Sequence, residues 1–171
     1  MNRIIAKEQL PQDAYRLRVA APLIAEERQP GQFIILQLDT EFGERIPLTI
    51  ADADVAEGSI TLIFQAAGKS TKLLAQMQVG EKIANLVGPL GRPTHIEKFG
   101  TVVCVGGGIG TAPLYPIAQG MKRAGNRLIV IIGARTKDLV ILEPEMRAIA
   151  DEVIICTDDG SYGRKGLVTE P

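Results

Sequence analysis

A short apolar run, Thr101–Val105 (TVVCV), passes directly into Gly106-Gly107-Gly108-Ile109-Gly110, and a helical pattern, APLYPIAQGMKRAG, follows at once. A buried strand that turns through glycines into a helix is the first half of a parallel β–α–β unit. RLIVIIGA then reads as a second buried strand, EPEMRAIADE as a second helix and EVIICT as a third strand. Parallel strands require crossover connections, which are right-handed, so this half predicts a parallel sheet of about three strands with packed helices. The glycines also let a backbone approach a phosphate, and the helix start offers free N–H groups and a partial positive charge. The usual dinucleotide turn is G-x-G-x-x-G with an acid ending the next strand. Here Thr111 stands at the last glycine, and Gly133-Ala134-Arg135 stands where the acid would be. A nucleotide-binding turn outside the standard fingerprint is expected.

Before about Arg92 the period is two. AYRLRVAA, GQFIILQLD and GSITLIFQA alternate or run apolar over short stretches, bounded by turn residues such as Gln29-Pro30-Gly31 and Glu57-Gly58. Short strands at regular spacing predict an antiparallel barrel or sandwich. The only helix expected in this half covers about Ser70 to Gln76. The period changes at Gly91-Arg92-Pro93-Thr94, which predicts two domains, residues 1–93 and residues 94–171.

Gly68-Lys69-Ser70-Thr71 looks like the end of a triphosphate-binding P-loop. That loop needs a glycine five residues before the Gly-Lys pair, and the position holds Ile63. The segment therefore predicts an anion site at a helix start rather than a triphosphatase.

Charge and cysteine usage remove other classes. The net charge is -1, so the chain carries no basic footprint for nucleic acid. No apolar run approaches the roughly 20 residues of a membrane span, and MNRIIAKEQL lacks the apolar core of a secretory signal. Cys104 and Cys156 lie far apart in apolar runs, which predicts reduced, buried thiols in a cytoplasmic protein. One histidine and no closely spaced cysteines predict no metal site within these residues.

Further candidates are single residues. Arg45 in ERIPLTIAD could grip a phosphate with its forked guanidinium, or be a solvated surface arginine. Thr49 could offer its hydroxyl to a ligand. CTDDGSYGRKG follows the third strand at a carboxyl end of the sheet, where ligands of such folds bind. Arg164 and Lys165 in it could hold an extra phosphate, or the stretch could be a charged surface hairpin. His95 reads as an ordinary boundary residue.

RIPLTIAD, GKSTKLL, GPLGRP, GGGIGTAPL and TDDGSYGRKG, in this order and spacing, resemble the ferredoxin–NADP reductase superfamily. The likeness is greatest to the electron-transfer subunit of dihydroorotate dehydrogenase and the small subunit of NADH-dependent ferredoxin:NADP oxidoreductase. The resemblance spans essentially the whole chain. It implies an antiparallel Greek-key β-barrel for flavin, followed by a partial parallel α/β sandwich for a nicotinamide nucleotide. Gly68, Lys69, Ser70 and Thr71 would bind the FAD pyrophosphate, and Arg45 a flavin phosphate. Many relatives carry that arginine one residue later, where this chain has Ile46. Pro47 and Leu48 would lie along the isoalloxazine ring, with Thr49, the candidate catalytic residue, near its N5. Gly106, Gly107, Gly108, Gly110, Thr111 and Pro113 would hold the pyrophosphate of NAD(P)H. Arg135, Asp158 and Arg164 would meet its adenosine end, leaving NAD and NADP both open.

The resemblance further implies a flavin-dependent oxidoreductase subunit that works with a catalytic partner subunit. Relatives carry four cysteines in a C-terminal segment that bind a 2Fe-2S cluster. These 171 residues contain no such segment, and the small sheet leads to the same expectation, that the chain is a fragment. Two other readings stand beside this one: a self-sufficient NAD(P)H:flavin reductase, and a non-catalytic nucleotide-binding module.

Overall fold

The structure, a computed structural model, describes residues 1–41 and 43–171. The chain divides into two compact units, Met1–Thr94 and His95–Pro171.

The first unit is a six-stranded antiparallel sheet in the order β1-β2-β5-β4-β3-β6. Its strands are β1 (Ile4–Leu10), β2 (Ala14–Ala20), β3 (Phe33–Gln37), β4 (Arg45–Asp54), β5 (Ser59–Gln65) and β6 (Asn85–Leu90). β3, β4 and β5 form a meander, and β6 returns beside β3, which is Greek-key order. The sheet curls until its ends meet. Arg3 bridges Lys82, and the N–H groups of Ile4 and Ile83 donate to the Glu81 and Asn2 carbonyls. Side chains from alternate positions fill the interior, among them Ile4, Leu17, Ile34, Leu36, Ile50, Ile60 and Leu62. β1 and β6 are part of this closure although polar residues blur their alternation.

Two helices attach to the barrel. α2 (Lys69–Gln76) covers the expected segment and starts one residue earlier. α1 (Pro22–Glu27) corrects the expectation of a single helix in this half. Six residues are too few to show a helical period, but Pro22 opens the first turn, where its missing N–H costs nothing, and Ile24 and Ala25 join the core.

The second unit is a parallel sheet in the order β10-β9-β8-β7. β7 (Thr101–Gly107), β8 (Arg127–Ala134) and β9 (Glu152–Thr157) alternate with α3 (Thr111–Arg123) and α4 (Glu143–Ile149). β10 (Arg164–Lys165) adds a fourth, two-residue strand. It pairs in parallel with β9, Arg164 opposite Cys156, so the TDDGSYGRKG stretch is a crossover and not a hairpin. Cys104, Leu128, Val130, Ile132 and Ile155 pack against Ala118, Met121 and Met146 of the two helices. Val103 and Val105 project from β7 on the other face and are about half exposed.

α3 ends in a Schellman motif. Gly125, at φ +83°, donates to the Lys122 carbonyl and Asn126 to that of Met121. The buried Asn126 side chain then ties this turn to the start of β7. Its Oδ1 accepts from the N–H groups of Phe99 and Gly100, and its Nδ2 donates to the carbonyls of Glu97 and Met121.

Among the described residues no helix is long and apolar enough to cross a membrane, and no three His, Cys, Asp or Glu side chains are grouped to hold a metal ion.

Candidate functional site

In the barrel, β4 and β5 pair from Asp54 opposite Ser59 as far as Ile50 opposite Leu62, and then part. Beyond this point Arg45–Thr49 pairs only with β3, and Ile63–Gln65 only with β2. The two strands thus form a fork whose inner edges carry backbone N–H and C=O groups without ladder partners. Three residues of β5 give about 10 Å of open edge, enough for a fused three-ring system.

The chain leaves β5 at Gln65 and enters α2 through Ala66-Ala67-Gly68. Lys72 is the first helix residue whose N–H bonds back, to the Gly68 carbonyl. The N–H groups of Lys69, Ser70 and Thr71 therefore have no intrahelical acceptor and face outward from the positive end of α2. The Thr71 hydroxyl accepts from the Gly68 N–H and donates to the Gly68 carbonyl, which fixes the first turn. A cavity of about 170 Å³ adjoins this end, lined by Leu38, Asp39, Glu44, Lys69, Ser70 and Leu73. The Ser70 hydroxyl donates to Glu44 within it.

Strand alternation separates the RIPLT residues. Ile46 and Leu48 turn inward and pack against the barrel core, whereas Arg45, Pro47 and Thr49 turn outward. Arg45 lines a different cavity, of about 310 Å³, with Ile35, Gln37, Asn85 and Val87. The structure therefore does not bring Arg45, Pro47 and Leu48 to one face. Ile46, where relatives carry the arginine, is on the inward side.

In the second unit the glycines differ in what they permit. A Cβ on Gly106 would lie 3.0 Å from Leu114 Cδ2 and 3.2 Å from Thr111 Cα, so this glycine serves the close approach of β7 and α3. Gly107 would meet only the Gly133 carbonyl at 3.9 Å, and Gly108 and Gly110 would meet nothing within 4 Å. Gly108 and Gly110 bound a single 3₁₀ turn that leads into α3, whose third residue is Pro113. Thr111 is fully buried, and its hydroxyl has no hydrogen-bond partner among the described residues.

The register places Gly107 beside Gly133, and Ala134 beside Thr157. The Asp158 and Asp159 N–H groups donate to the carbonyls of Ala134 and Arg135. The glycine turn, Arg135 and Asp158 thus share the carboxyl end of the sheet. Asp159 accepts from both the N–H and the hydroxyl of Ser161, which hold its carboxyl below the usual range. The Thr157 hydroxyl donates to the Tyr162 carbonyl. Arg164 is exposed on β10 at the sheet's edge. Cys104 and Cys156 are buried free thiols whose pKa burial pushes up, away from the reactive thiolate.

Sequence reasoning did not single out Glu44 or Phe64. Glu44 acquires its place only through its contact with Ser70, 26 residues further along the chain. Phe64 reads as one more core aromatic until β4 and β5 are seen to part beside it.

No protein-family model matches the chain. It is 44% identical over 170 residues to a dihydroorotate dehydrogenase B (NAD(+)) electron transfer subunit homolog from Thermotoga maritima, which covers 99% of this chain and 60% of that protein. It is 35% identical to the dihydroorotate dehydrogenase B (NAD(+)) electron transfer subunit of Fusobacterium nucleatum, over 95% of this chain and 64% of that protein. A solved structure of an NADH-dependent reduced ferredoxin-NADP oxidoreductase, studied for flavin-based electron bifurcation, matches with a TM-score of 0.93 and 42% identity, over 99% of this chain and 61% of that one. A ferredoxin NADP+ reductase from Neisseria gonorrhoeae shares the fold at 16% identity and a TM-score of 0.73, over 96% of this chain and 71% of that one. The chain thus spans about three fifths of the length of the first relatives it matches.

Proposed function

Since the chain belongs to the ferredoxin–NADP reductase superfamily, we propose that it is the flavin- and nicotinamide-binding part of an electron-transfer subunit. The observation that carries this reading is the fork between β4 and β5, with the free N–H groups of α2 at its end. A flat ring can satisfy the parted strand edges, and a diphosphate can accept from Lys69, Ser70 and Thr71. The group that fits both is FAD.

The residues act by binding and orienting. Thr49 ends the parted stretch of β4, where its hydroxyl and backbone can bond the ring edge. Pro47 and Leu48, on the parted stretch of β4, would lie along the ring. Lys69, which lines the cavity at α2, can pair with the diphosphate charge. Arg45, which lines the second cavity of the barrel, stays a candidate for a flavin phosphate. The chemistry such a flavin supplies is exchange of electron pairs with a nicotinamide and of single electrons with a one-electron acceptor.

In the second unit we assign the nicotinamide dinucleotide to the Gly107–Gly110 turn. The backbone there has no side chain in its way, and the Thr111 hydroxyl lacks a partner. Pro113 shapes the first turn of α3. Arg135, Asp158 and Arg164 border the adenosine end. The names of the relatives favour NAD. We also propose that electrons pass to a catalytic partner subunit through a 2Fe-2S cluster, both bound outside these 171 residues. The free thiols suit a reducing compartment such as the cytoplasm.

The test is a titration of the apoprotein with FAD, followed by anaerobic addition of NADH. Quenching of flavin fluorescence on binding, then bleaching of the bound flavin's visible absorbance, is expected. Protein that remains colourless at saturating FAD would overturn the reading.

A further inference from the structure

We propose that Lys7, on the far side of α2 from the anion site, is a positioning residue for the flavin diphosphate. The inference rests on the flavin reading above. α2 has eight residues, a length at which an isolated helix is not stable in water. It carries no acidic side chain in its first turn and no basic one in its last, so nothing within it complements its own dipole. The complement at the C-terminal end comes from β1. The Lys7 ammonium donates to the Ala75 carbonyl over 2.6 Å and to the Met77 carbonyl over 2.8 Å. These are two of the terminal carbonyls that a helix leaves without partners.

Lys7 is also braced from behind. Its Nζ lies 5.5 Å from the centre of the Tyr15 ring, and Tyr15 stacks on Phe64 with centroids 6.0 Å apart and planes 24° from parallel. Phe64 is on the parted stretch of β5, just before the turn into α2. One cation therefore bridges the two ends of the segment that presents the N–H groups of Lys69, Ser70 and Thr71. Its contacts hold the far end of the helix to β1, and through Tyr15 they reach the strand that delivers it. A methionine could fill the same volume but could not donate to either carbonyl.

The experiment compares the unaltered chain with Lys7→Met, Lys7→Gln, Lys7→Arg and a core control on the neighbouring strand, Val19→Ala. FAD affinity is read by fluorescence quenching, and hydrogen exchange is followed at the Lys72–Ala75 amides in the apoprotein. Lys7→Met should weaken FAD binding about tenfold and speed exchange of these amides by a similar factor. Lys7→Arg should restore both to within about threefold, because it keeps the cation and its donors. Val19→Ala, on β2 opposite Ile4, should lower Tm yet leave FAD affinity within about twofold. If Lys7→Met does not fold, Lys7→Gln, which keeps an N–H donor group without the charge, carries the comparison. Unchanged FAD affinity in the folded Lys7 variants would overturn the proposal while leaving the flavin reading intact. If the unaltered chain itself binds no FAD, the flavin reading fails, and unchanged exchange at Lys72–Ala75 separately removes the role of Lys7.

Discussion

The Ser70 hydroxyl donates to the Glu44 carboxylate over 2.5 Å, which sets a negative charge beside the outward N–H groups of α2. A helix N-terminus favours an anion, and Glu44 exploits this within the chain itself. An incoming diphosphate meets a like charge at the same place. Glu44→Gln should tighten FAD binding about fivefold at low salt, and the gain should fade in high salt, because exposed charges are screened. Titration with FAD at two ionic strengths checks both parts.

Gly106 and Gly107 are neighbours with opposite demands. Gly106→Ala drives a methyl against Leu114 and the α3 backbone, so it should lower stability by about 2 kcal/mol. Gly107→Ala finds open space at an ordinary strand conformation, so folding should be unaffected. If this turn holds the dinucleotide, Gly107→Ala should nevertheless raise the KM for NADH at least tenfold. Thermal unfolding and steady-state kinetics separate the two effects.

Asn126 makes four hydrogen bonds from a site that is 3% exposed. Asn126→Ala strands the N–H groups of Phe99 and Gly100 and the Glu97 carbonyl, while the Met121 carbonyl keeps the backbone N–H of residue 126, and should cost about 3 kcal/mol. Asn126→Asp keeps the two acceptor bonds and loses the donors, so its cost should be smaller at low pH, where a protonated carboxyl can donate. Chemical denaturation at two pH values measures both.

Asp151 accepts from Lys122 and from the Leu128 N–H, and these bonds hold its carboxyl below the ordinary value. A carboxyl whose folded pKa is depressed adds stability above its unfolded pKa and loses it as pH falls through the folded one. Asp159, lowered by Ser161, acts in the same direction. Tm should therefore fall below about pH 4. The fall should be smaller in an Asp151→Asn, Asp159→Asn double variant, as calorimetry across pH 3 to 7 would record.

Cys104 and Cys156 are buried with raised pKa values. A disulfide reagent should titrate neither at neutral pH in the folded state, and both after denaturation. Rapid labelling of the folded protein would contradict the packing described for the sheet.

Much of the second unit was legible because each of its elements advertises itself locally. TVVCV, RLIVIIGA and EVIICT are continuous apolar runs, as strands buried within a parallel sheet are. β10 was not legible, since two charged residues have no period to read. In the barrel, the alternation of β2, β3 and β5 was plain, while β1 and β6 mix charge and proline with their inward residues. The anion-facing start of α2 could be read from Gly68-Lys69-Ser70-Thr71. The side taken by Arg45 could have been read from period two alone, because Arg45 and Leu48 are an odd number of residues apart. Glu44, Lys7 and Tyr15 owe their places to contacts between segments distant in the chain, and no local pattern records those.

The seam that closes the barrel joins residues far apart in sequence: Arg3 reaches the Gly80 carbonyl across 77 positions. The entropy of closing so long a loop must be met before the seam returns any energy, whereas each β–α–β step of the second unit joins near neighbours. A nascent chain therefore cannot complete its first unit until synthesis has passed Leu90 at the end of β6, and the segment that follows, though made later, has the quicker route to order.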